Sequence, residues 1–289
     1  MKAPYWLDKN EYPFKSKYLE IDGSKIHFID EGEGEIILMV HGTPDWSFTY
    51  RNMVKHLSKK YRCVAADNLG YGLSEKPENA DYTPEAHSIR LWKFIEKLGL
   101  KNINLVVHDF GGPIGFGYAL NHPENIKRVV IFNTWMWSLK DEKHFETPGK
   151  IFGGWLGKFF YTQLNFSARV IMKASFGNKK KLTPEIHRQY LKAQGSPKER
   201  IAAFACVKSL IGSSSYYNNL WEKRESLLKK PVLMMWGMKD EFLKTSLLFP
   251  KWEELLKSKK IVNLENAGHF VQEEEPEAIN RELEAFLNS

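Results

Sequence analysis

The sequence predicts an α/β fold, with a mostly parallel eight-stranded sheet flanked by helices and interrupted by an inserted helical cap. Short apolar runs alternate with helix-length amphipathic segments along the 289 residues. This pattern is typical of strands and helices layered around a parallel sheet. The runs at 36–40, 103–107 and 232–235 are almost continuously apolar, as expected of strands covered on both faces. Residues 138–230 contain no convincing strand, which indicates that helices are inserted there.

Eight strands are predicted in chain order. The first two form a hairpin, because the apolar runs at 18–21 and 25–29 flank Asp22-Gly23, a favoured turn dipeptide. The other six are predicted at 35–40, 62–66, 103–108, 128–132, 231–236 and 261–264.

Helical patterns lie between these strands. In the core they cover residues 47–58, 84–98, 112–122, 249–256 and 276–287; in the insertion they cover 150–164, 166–174, 184–193 and 198–211. The predicted organisation is therefore a core of residues 1–137, a helical cap of residues 138–230 and a return to the core at 231–289. Such a cap is expected to cover the crevice at the strand ends where open α/β sheets bind ligands.

Composition and charge exclude several classes of protein. Hydrophobic residues make up 43% of the chain, which is enough for a substantial core and excludes a disordered chain. Lys and Arg number 42 against 35 Asp and Glu, a net charge of +7. The excess is mostly dispersed single lysines, with compact runs only at 179–181 and 257–260, so we predict solvated lysines and no nucleic-acid partner.

No segment of the sequence is expected to direct the protein to another compartment. No window approaches the ~20 apolar residues of a membrane span, and the first residues lack the apolar core of a signal peptide, so we expect no membrane partner. Cys63 and Cys206 are far apart in the sequence and are predicted to be buried free thiols. The expected location is the reducing cytoplasm.

The first chemical motif follows the predicted strand at 103–108. There Asp109 stands at a sharp strand-to-helix turn, with small neighbours at Val107 and Gly111 and with Pro113 opening a helix. This is the layout of a nucleophile elbow, with aspartate where serine is usual, and the helix N-terminus favours an anionic side chain there. The alternative is an ordinary N-cap aspartate.

Three further motifs follow other strands. His41-Gly42-Thr43-Pro44 can aim the Thr43 N–H into the crevice and complete an oxyanion hole with the N–H of Phe110. Asp240 and His269 each come just after a later strand, in the chain order nucleophile, acid, base. Each motif alone could be a simple loop; four of them in order predict a catalytic site.

The motifs together resemble the α/β-hydrolase superfamily, in particular its haloalkane dehalogenase branch, which neighbours the epoxide hydrolases. The resemblance extends over residues 15–285 and is carried by the segments 41–51, 67–77, 107–115, 132–137, 237–240 and 268–273. It implies that Asp109 is the nucleophile, Asp240 the acid and His269 the base.

An aspartate nucleophile narrows the reaction. Attack on an ester carbonyl would give an anhydride, whereas attack on an sp³ carbon gives a stable alkyl ester that can be hydrolysed. His269, oriented by Asp240, would then deprotonate the attacking water, and the Thr43 and Phe110 N–H groups would hold the oxyanion. His108 is expected to have a structural role. No metal or cofactor is expected, the expected partners are a small-molecule substrate and water, and the oligomeric state is expected to be monomer or homodimer.

The residues that would hold the leaving group depart from the dehalogenase pattern. The family usually places a tryptophan directly after the nucleophile and an asparagine after the His-Gly pair, or a cap tryptophan, as halide donors. Here Phe110 and Thr43 occupy the first two positions, and losing such charge-assisted hydrogen bonds costs about 1.5–3 kcal/mol each. An indole N–H from Trp135, Trp137 or Trp155 is the alternative donor, although each of these also fits packing.

Epoxide hydrolysis is the alternative reaction, because epoxide opening uses acidic hydroxyls that are usually supplied by two cap tyrosines. The inserted segment offers Tyr161, Tyr190, Tyr216 and Tyr217, which also fit ordinary packing. The many aromatic residues of the cap predict an apolar pocket for a small uncharged substrate. A non-catalytic binding protein on the same fold is the third hypothesis, and the complete set of Asp109, Asp240 and His269 argues against it.

Overall fold

A computed structural model describes residues 4–289 and contains the predicted mixed sheet. Its eight strands are β1 (Lys17–Ile21), β2 (Ser24–Glu31), β3 (Ile36–Val40), β4 (Arg62–Ala66), β5 (Ile103–His108), β6 (Ile126–Phe132), β7 (Val232–Gly237) and β8 (Lys260–Leu264). Their order across the sheet is β1-β2-β4-β3-β5-β6-β7-β8. The pairs β1·β2 and β2·β4 are antiparallel, and all other neighbouring pairs are parallel. The predicted fold class and hairpin are confirmed.

The helices of the core cover the two faces of this sheet. They are α1 (Arg51–Leu57), which is preceded by the 3₁₀ turn Ser47–Tyr50, α2 (Pro84–Leu98) and α3 (Gly111–Asn121), and, after the insertion, α11 (Thr245–Leu255), α12 (Val271–Glu274) and α13 (Pro276–Leu287). A 3₁₀ turn, Pro123–Asn125, leads into β6.

Only helices connect β6 to β7 in the described chain. They are α4 (Lys143–Phe152), α5 (Trp155–Gln163), the π-helical turn Ser167–Ile171, α6 (Met172–Ser175), α7 (Pro184–Ala193), α8 (Ile201–Gly212), α9 (Ser214–Glu222) and α10 (Glu225–Leu228), with 3₁₀ turns at Lys179–Lys181 and Lys198–Arg200. We call residues 133–231 the helical insertion. The cap boundaries 138 and 230 stay a prediction.

Several predicted helices differ from those observed. The single helix expected at 150–164 is two helices, because Gly153-Gly154 separates them and glycine is a poor helix former. The segment 166–174 is a π turn followed by one α turn. Three helices, α9, α10 and α12, were not predicted. The helix expected from residue 249 begins at Thr245 and contains Pro250 in its interior.

The core lies on both faces of the sheet because successive strand residues point to opposite sides. On β3, Leu38 and Val40 pack into one hydrophobic cluster, whereas Ile37 and Met39 pack into the other. The near-continuous apolar run of β3 is thus explained by burial on both faces. In the described part of the chain, no helix is both long and apolar enough to cross a bilayer.

Candidate active site

The turn after β5 holds Asp109 in a left-handed conformation. Its φ is +51°, which is costly for a residue with a side chain, and the turn is fixed from two sides. The Asp109 N–H donates to the Asn133 carbonyl at 3.0 Å, and the Thr134 hydroxyl donates to the Asp109 carbonyl. Gly111 is required for this turn, because a Cβ there would lie 2.0 Å from the Val40 carbonyl oxygen. The strand ends therefore fix where this carboxylate points.

The Asp109 carboxylate is buried and is held through one of its oxygens. The Thr43 N–H donates to Oδ1 at 2.8 Å, and the Phe110 N–H lies close enough to the carboxylate to lower its pKa. Gly42 makes the approach of Thr43 possible, since a Cβ at position 42 would lie 2.0 Å from Oδ1 of Asp109. Both predicted oxyanion donors thus face the same carboxylate.

His269 and Asp240 reach Asp109 from the ends of β8 and β7, the last two strands of the sheet. His269 follows β8, and its Nε2 lies 3.3 Å from Oδ2 of Asp109. Its Nδ1 lies 2.7 Å from Oδ2 of Asp240, which follows β7. Asp240 is fixed in turn by the Asn133 amide at 2.8 Å on Oδ2 and by two backbone N–H groups on Oδ1. The structure therefore brings the three predicted side chains together, with His269 between Asp109 and Asp240.

The charges of these groups depend on one another. Burial disfavours a charged imidazole, yet the carboxylates of Asp240 and Asp109 outweigh burial and raise the pKa of His269 to about 10. Burial likewise disfavours a charged Asp109, but His269, His108 and the Phe110 N–H outweigh it and hold the Asp109 pKa below its ordinary value. The resting site is an imidazolium between two carboxylates.

A second buried His–Asp pair, His108 and Asp45, contacts the backbone of His269. His108, directly before the nucleophile, has Nε2 2.8 Å from the His269 carbonyl oxygen and Nδ1 3.0 Å from Oδ2 of Asp45. The amide Nε2 of Gln272 lies 3.1 Å from the same Nδ1 and donates to the Thr49 hydroxyl. His108 thus fixes the backbone that carries His269, in agreement with its expected structural role.

The peptide group between Gly42 and Thr43 is also fixed by a histidine. The Asn68 N–H donates to Nε2 of His41 at 2.9 Å, so Nδ1 carries the proton and donates to the Gly42 carbonyl at 2.7 Å. Burial lowers the pKa of His41, which keeps the ring neutral. The carbonyl and the N–H of one peptide group point in opposite directions, so this bond aims the Thr43 N–H at Asp109.

A cavity of about 270 Å³ lies between the core and the helical insertion. Its lining is mostly apolar and includes Thr43, Phe110, His144, Phe145, Pro148, Gly149, Phe152, Tyr161, Phe166, Ser167, Ile171, Ala203, Val207, Leu210, Glu241 and Phe242. Thr43 and Phe110, which hold the Asp109 carboxylate, form its floor. A small apolar molecule fits this space.

Only one of the six side chains predicted for the pocket lines this cavity, namely Tyr161. Trp155 is 82% exposed on α5, because its helix turns that face away from the core. Trp137 packs between Trp221 and Trp252. Trp135 is buried edge-on against Phe110 and does not line the cavity, and its indole N–H has no partner in the described chain.

The other tyrosines are engaged elsewhere. Tyr190 donates to Glu273, and Tyr216 donates to the Pro113 carbonyl on α3 at 2.9 Å. Tyr217 donates to the Ser209 carbonyl at 3.0 Å. The prediction of pocket positions for Trp135, Trp137, Trp155, Tyr190 and Tyr216 is therefore corrected, since packing and local hydrogen bonds account for all five.

Sequence reasoning missed much of the cavity wall. Phe145, Pro148, Gly149 and Phe152 line it from α4, and their spacing is that of one helix face. That spacing was the available signal. Glu241 and Phe242 follow Asp240 directly, so their position beside the site followed from that of Asp240.

Comparison with known proteins agrees with this geometry. A family model described as alpha/beta hydrolase fold matches residues 35–276. Haloalkane dehalogenase 2 of Mycobacterium tuberculosis is 30% identical over 280 residues, which cover 96% of this chain and 97% of the relative. The crystal structure of the haloalkane dehalogenase DatA from Agrobacterium tumefaciens C58 superposes with a TM-score of 0.84 at 27% identity, covering 95% of this chain and 96% of that one.

Two other relatives carry different names. A cis-3-alkyl-4-alkyloxetan-2-one decarboxylase of Shewanella oneidensis is 32% identical over 95% of this chain and 89% of its own length. Epoxide hydrolase 1 of Caenorhabditis elegans is 26% identical over 94% of this chain and 70% of its own length. The resemblance inferred from the motifs is confirmed: the chain belongs to the α/β-hydrolase fold family and is a haloalkane dehalogenase-like hydrolase.

Proposed function

We propose that the protein hydrolyses a carbon–heteroatom bond at an sp³ carbon through an alkyl ester on Asp109, with small apolar haloalkanes as the leading substrate class. The observation that carries this proposal is the asymmetric environment of the carboxylate. Oδ1 accepts the Thr43 N–H, whereas Oδ2 has no hydrogen-bond partner in the described chain and faces Nε2 of His269. Oδ2 is therefore the oxygen free to attack.

In the first step, Oδ2 forms a bond to the substrate carbon and the halide departs with the bonding electrons. The left-handed turn and the two N–H groups hold the carboxylate in place, so the attack has little reorganisation to undergo. Esterification removes the negative charge of Asp109. One of the two carboxylates that raise the pKa of His269 is then gone, and the imidazolium can release its proton.

In the second step, neutral His269 takes a proton from water, and the resulting hydroxide attacks the ester carbonyl of Asp109. The Thr43 N–H, which held Oδ1, and the nearby Phe110 N–H then stabilise the oxyanion on that same atom. Collapse releases the alcohol, which takes the proton from His269, and leaves a carboxylic acid on Asp109. That acid passes its proton to His269, which restores the carboxylate and the imidazolium. The sum is haloalkane plus water giving alcohol, halide and a proton, and Asp240 keeps the imidazole oriented throughout.

The stabilisation of the leaving group distinguishes this chain from the dehalogenase pattern. The Phe110 side chain has no hydrogen to donate, and Trp135, which packs edge-on against the Phe110 ring, does not line the cavity. Thr43 lines the cavity, and its hydroxyl is buried close to that of Tyr71. We propose the Thr43 hydroxyl as a side-chain donor to the departing halide. Because it is a weaker donor than an indole N–H, alkyl bromides and iodides, which have the better leaving groups, are the preferred substrates.

A second candidate function is the opening of a strained oxygen ring. Tyr161 supplies a hydroxyl to the cavity, and its burial raises its pKa, so it stays a hydrogen-bond donor. In an epoxide or an oxetan-2-one the leaving oxygen remains tethered to the substrate and ring strain assists its departure, so the missing indole donor matters less. The names of two relatives, an epoxide hydrolase and an oxetan-2-one decarboxylase, agree with this candidate.

Trapping the ester tests the shared chemistry. A His269→Phe variant is expected to accumulate substrate mass on the peptide that contains Asp109, because the first step proceeds and the second does not. The control is Asp109→Ala, which is expected to show no adduct. The panel is 1-bromobutane, 1,2-epoxyhexane and a cis-dialkyl oxetan-2-one, and the absence of an adduct with all three would refute the covalent route.

Isotope labelling assigns the oxygen atoms independently. In a single turnover in H₂¹⁸O, the label is expected in Asp109 and not in the product alcohol, because water attacks the ester carbonyl. Label in the alcohol would instead indicate direct attack by water on the substrate. The rates of bromide release from 1-bromobutane and of epoxide consumption are then compared. Faster bromide release favours the first candidate function, and faster epoxide consumption favours the second.

A further inference from the structure

The helical insertion carries most of the large exposed hydrophobic side chains. Of nine such side chains in residues 4–289, six lie between residues 151 and 170, and their exposed fractions range from 39% for Leu156 to 82% for Trp155. We call these six the outer apolar patch: Ile151, Trp155, Leu156, Phe159, Leu164 and Val170. Exposed apolar groups clustered in this way mark an interaction surface.

The members of the patch are linked by the aromatic residues beneath them. Trp155 and Phe159 are four residues apart on α5, so they share one helix face. Phe160, next to Phe159, packs on Phe166 at 5.7 Å between ring centroids. Val170 lies one turn beyond Phe166. The patch therefore continues from α5 onto the neighbouring π turn.

The charged residues around this patch are all basic. Residues 147–184 include no Asp or Glu and seven Lys or Arg. Lys158 adjoins Phe159, while Arg169 and Lys173 flank Val170, and all three are exposed. None of the three has an acidic partner within 4 Å among the residues the structure describes, whereas elsewhere many lysines form ion pairs. The helical insertion, residues 133–231, contains 18 Lys and Arg against seven Asp and Glu, so the positive charge of the whole chain comes from the insertion.

The patch and the cavity share their helices. Phe152 and Tyr161 line the cavity, while Ile151, Trp155 and Phe159 of the same two helices face outward. An apolar molecule in a layer that covers the patch therefore lies one helix thickness, ~10 Å, from the cavity.

We propose that the outer apolar patch docks on an anionic lipid bilayer, with Trp155 and Phe159 inserted among the acyl chains and with Lys158, Arg169 and Lys173 on the headgroups. A basic rim around exposed aromatic and aliphatic side chains is the pattern of an interfacial binding surface, and anionic leaflets attract each basic residue. Docked in this way, the enzyme takes apolar substrates from the bilayer in which they concentrate. This proposal replaces the expectation that the lysines are simply solvated.

The charge favours lipid over a second copy of this chain. A twofold dimer through the patch would bring Lys158, Arg169 and Lys173 of both copies face to face with no carboxylate among residues 147–184. Like charges across an interface oppose association. An anionic bilayer supplies the missing negative charge.

Co-sedimentation with vesicles tests the proposal. The wild-type protein is expected to sediment with vesicles of phosphatidylcholine mixed with phosphatidylglycerol at least about tenfold more strongly than with phosphatidylcholine alone. Raising NaCl from ~0.1 M to ~1 M shortens the Debye length from about 10 Å to about 3 Å and is expected to abolish that preference. A Trp155→Ser/Phe159→Ser variant is expected to lose at least about tenfold in partitioning because two inserted rings are gone.

Controls separate docking from folding and from catalysis. Trp92→Ser removes a partly exposed tryptophan of α2 that lies outside the patch, and it is expected to bind vesicles as the wild type does. Circular dichroism and thermal unfolding show whether each variant is folded, and turnover of a water-soluble substrate is expected to be unchanged because neither Trp155 nor Phe159 lines the cavity. Equal sedimentation of the folded double variant and the wild type would overturn the proposal. So would a wild-type dimer in light scattering that the double variant abolishes without any vesicle binding.

Discussion

His41 donates its Nδ1 proton to the carbonyl of Gly42 at 2.7 Å, and the N–H on the other side of that peptide group contacts Asp109. A histidine outside the three proposed catalytic groups therefore sets the direction of an oxyanion donor. It does so only as one neutral tautomer, because the Asn68 N–H occupies its other ring nitrogen.

Replacing His41 by Leu removes the donor that holds the Gly42 carbonyl. We expect the hydrolysis of the Asp109 ester to slow by about tenfold or more, since a fully lost oxyanion donor costs about 10²–10³. His41→Asn is the matched control, because its amide can still donate to that carbonyl, and it should retain more of the rate. Pre-steady-state kinetics separate ester formation from ester hydrolysis. Equal ester hydrolysis rates in the Leu variant and the wild type would show that the peptide group holds its direction unaided.

Asp109→Asn is expected to lower the pKa of His269 from about 10 towards its ordinary value, because one neighbouring carboxylate is lost. Since the folded-state pKa of His269 is raised, its protonation stabilises the wild type fully below about pH 6.5, and this stabilisation is lost as the pH rises towards 10. Urea unfolding from about pH 6 to pH 10 should therefore show a steeper fall in the free energy of unfolding for the wild type than for the variant. Parallel curves would contradict the charge coupling. Asp141→Asn, at an exposed position, is the control.

Phe110→Trp tests the missing halide donor. An indole N–H at this position is expected to increase bromide release by roughly tenfold or more, as a charge-assisted hydrogen bond contributes about 1.5–3 kcal/mol. Phe110→Tyr, which adds a hydroxyl without an indole, is the comparison. If bromide release is unchanged in a Trp variant that still forms the ester, leaving-group stabilisation does not limit the rate.

Tyr190→Phe tests the connection between the insertion and the core. Tyr190 on α7 donates to Glu273, which also forms a buried ion pair with Arg51, with Nη2 and Oε2 2.9 Å apart. Burial and Glu273 raise the Tyr190 pKa, so the hydroxyl stays protonated. We expect a loss of about 1.5–3 kcal/mol in the free energy of unfolding, measured by urea denaturation. Tyr216→Phe removes a hydrogen bond to a neutral carbonyl and should lose only about 0.5–1.5 kcal/mol.

The sequence predicted what depends on local pattern. The eight strands, the hairpin at Asp22-Gly23 and the order of Asp109, Asp240 and His269 follow from apolar runs and from the turns that end them. The pocket side chains were harder, because Trp155 and Tyr161 stand six residues apart on one helix and only the packing of α5 on its neighbours decides which one faces inward. The break in the predicted helix 150–164 could have been predicted from Gly153-Gly154. The supporting role of His41 could not have been predicted, since it depends on Asn68, 27 residues away in the sequence.

The helical insertion leaves the sheet after β6 and returns to it at β7, and these two strands are hydrogen-bonded neighbours. Its removal or replacement would therefore leave every strand pairing in the sheet intact. Asp109, Asp240 and His269 all belong to the sheet side of this junction, whereas most of the cavity wall belongs to the other. The cavity wall can accordingly be exchanged as a unit, provided that the exchange keeps Asn133 and Thr134, which hold Asp109 and Asp240, and a carbonyl in place of that of Ser175, which accepts the His269 N–H.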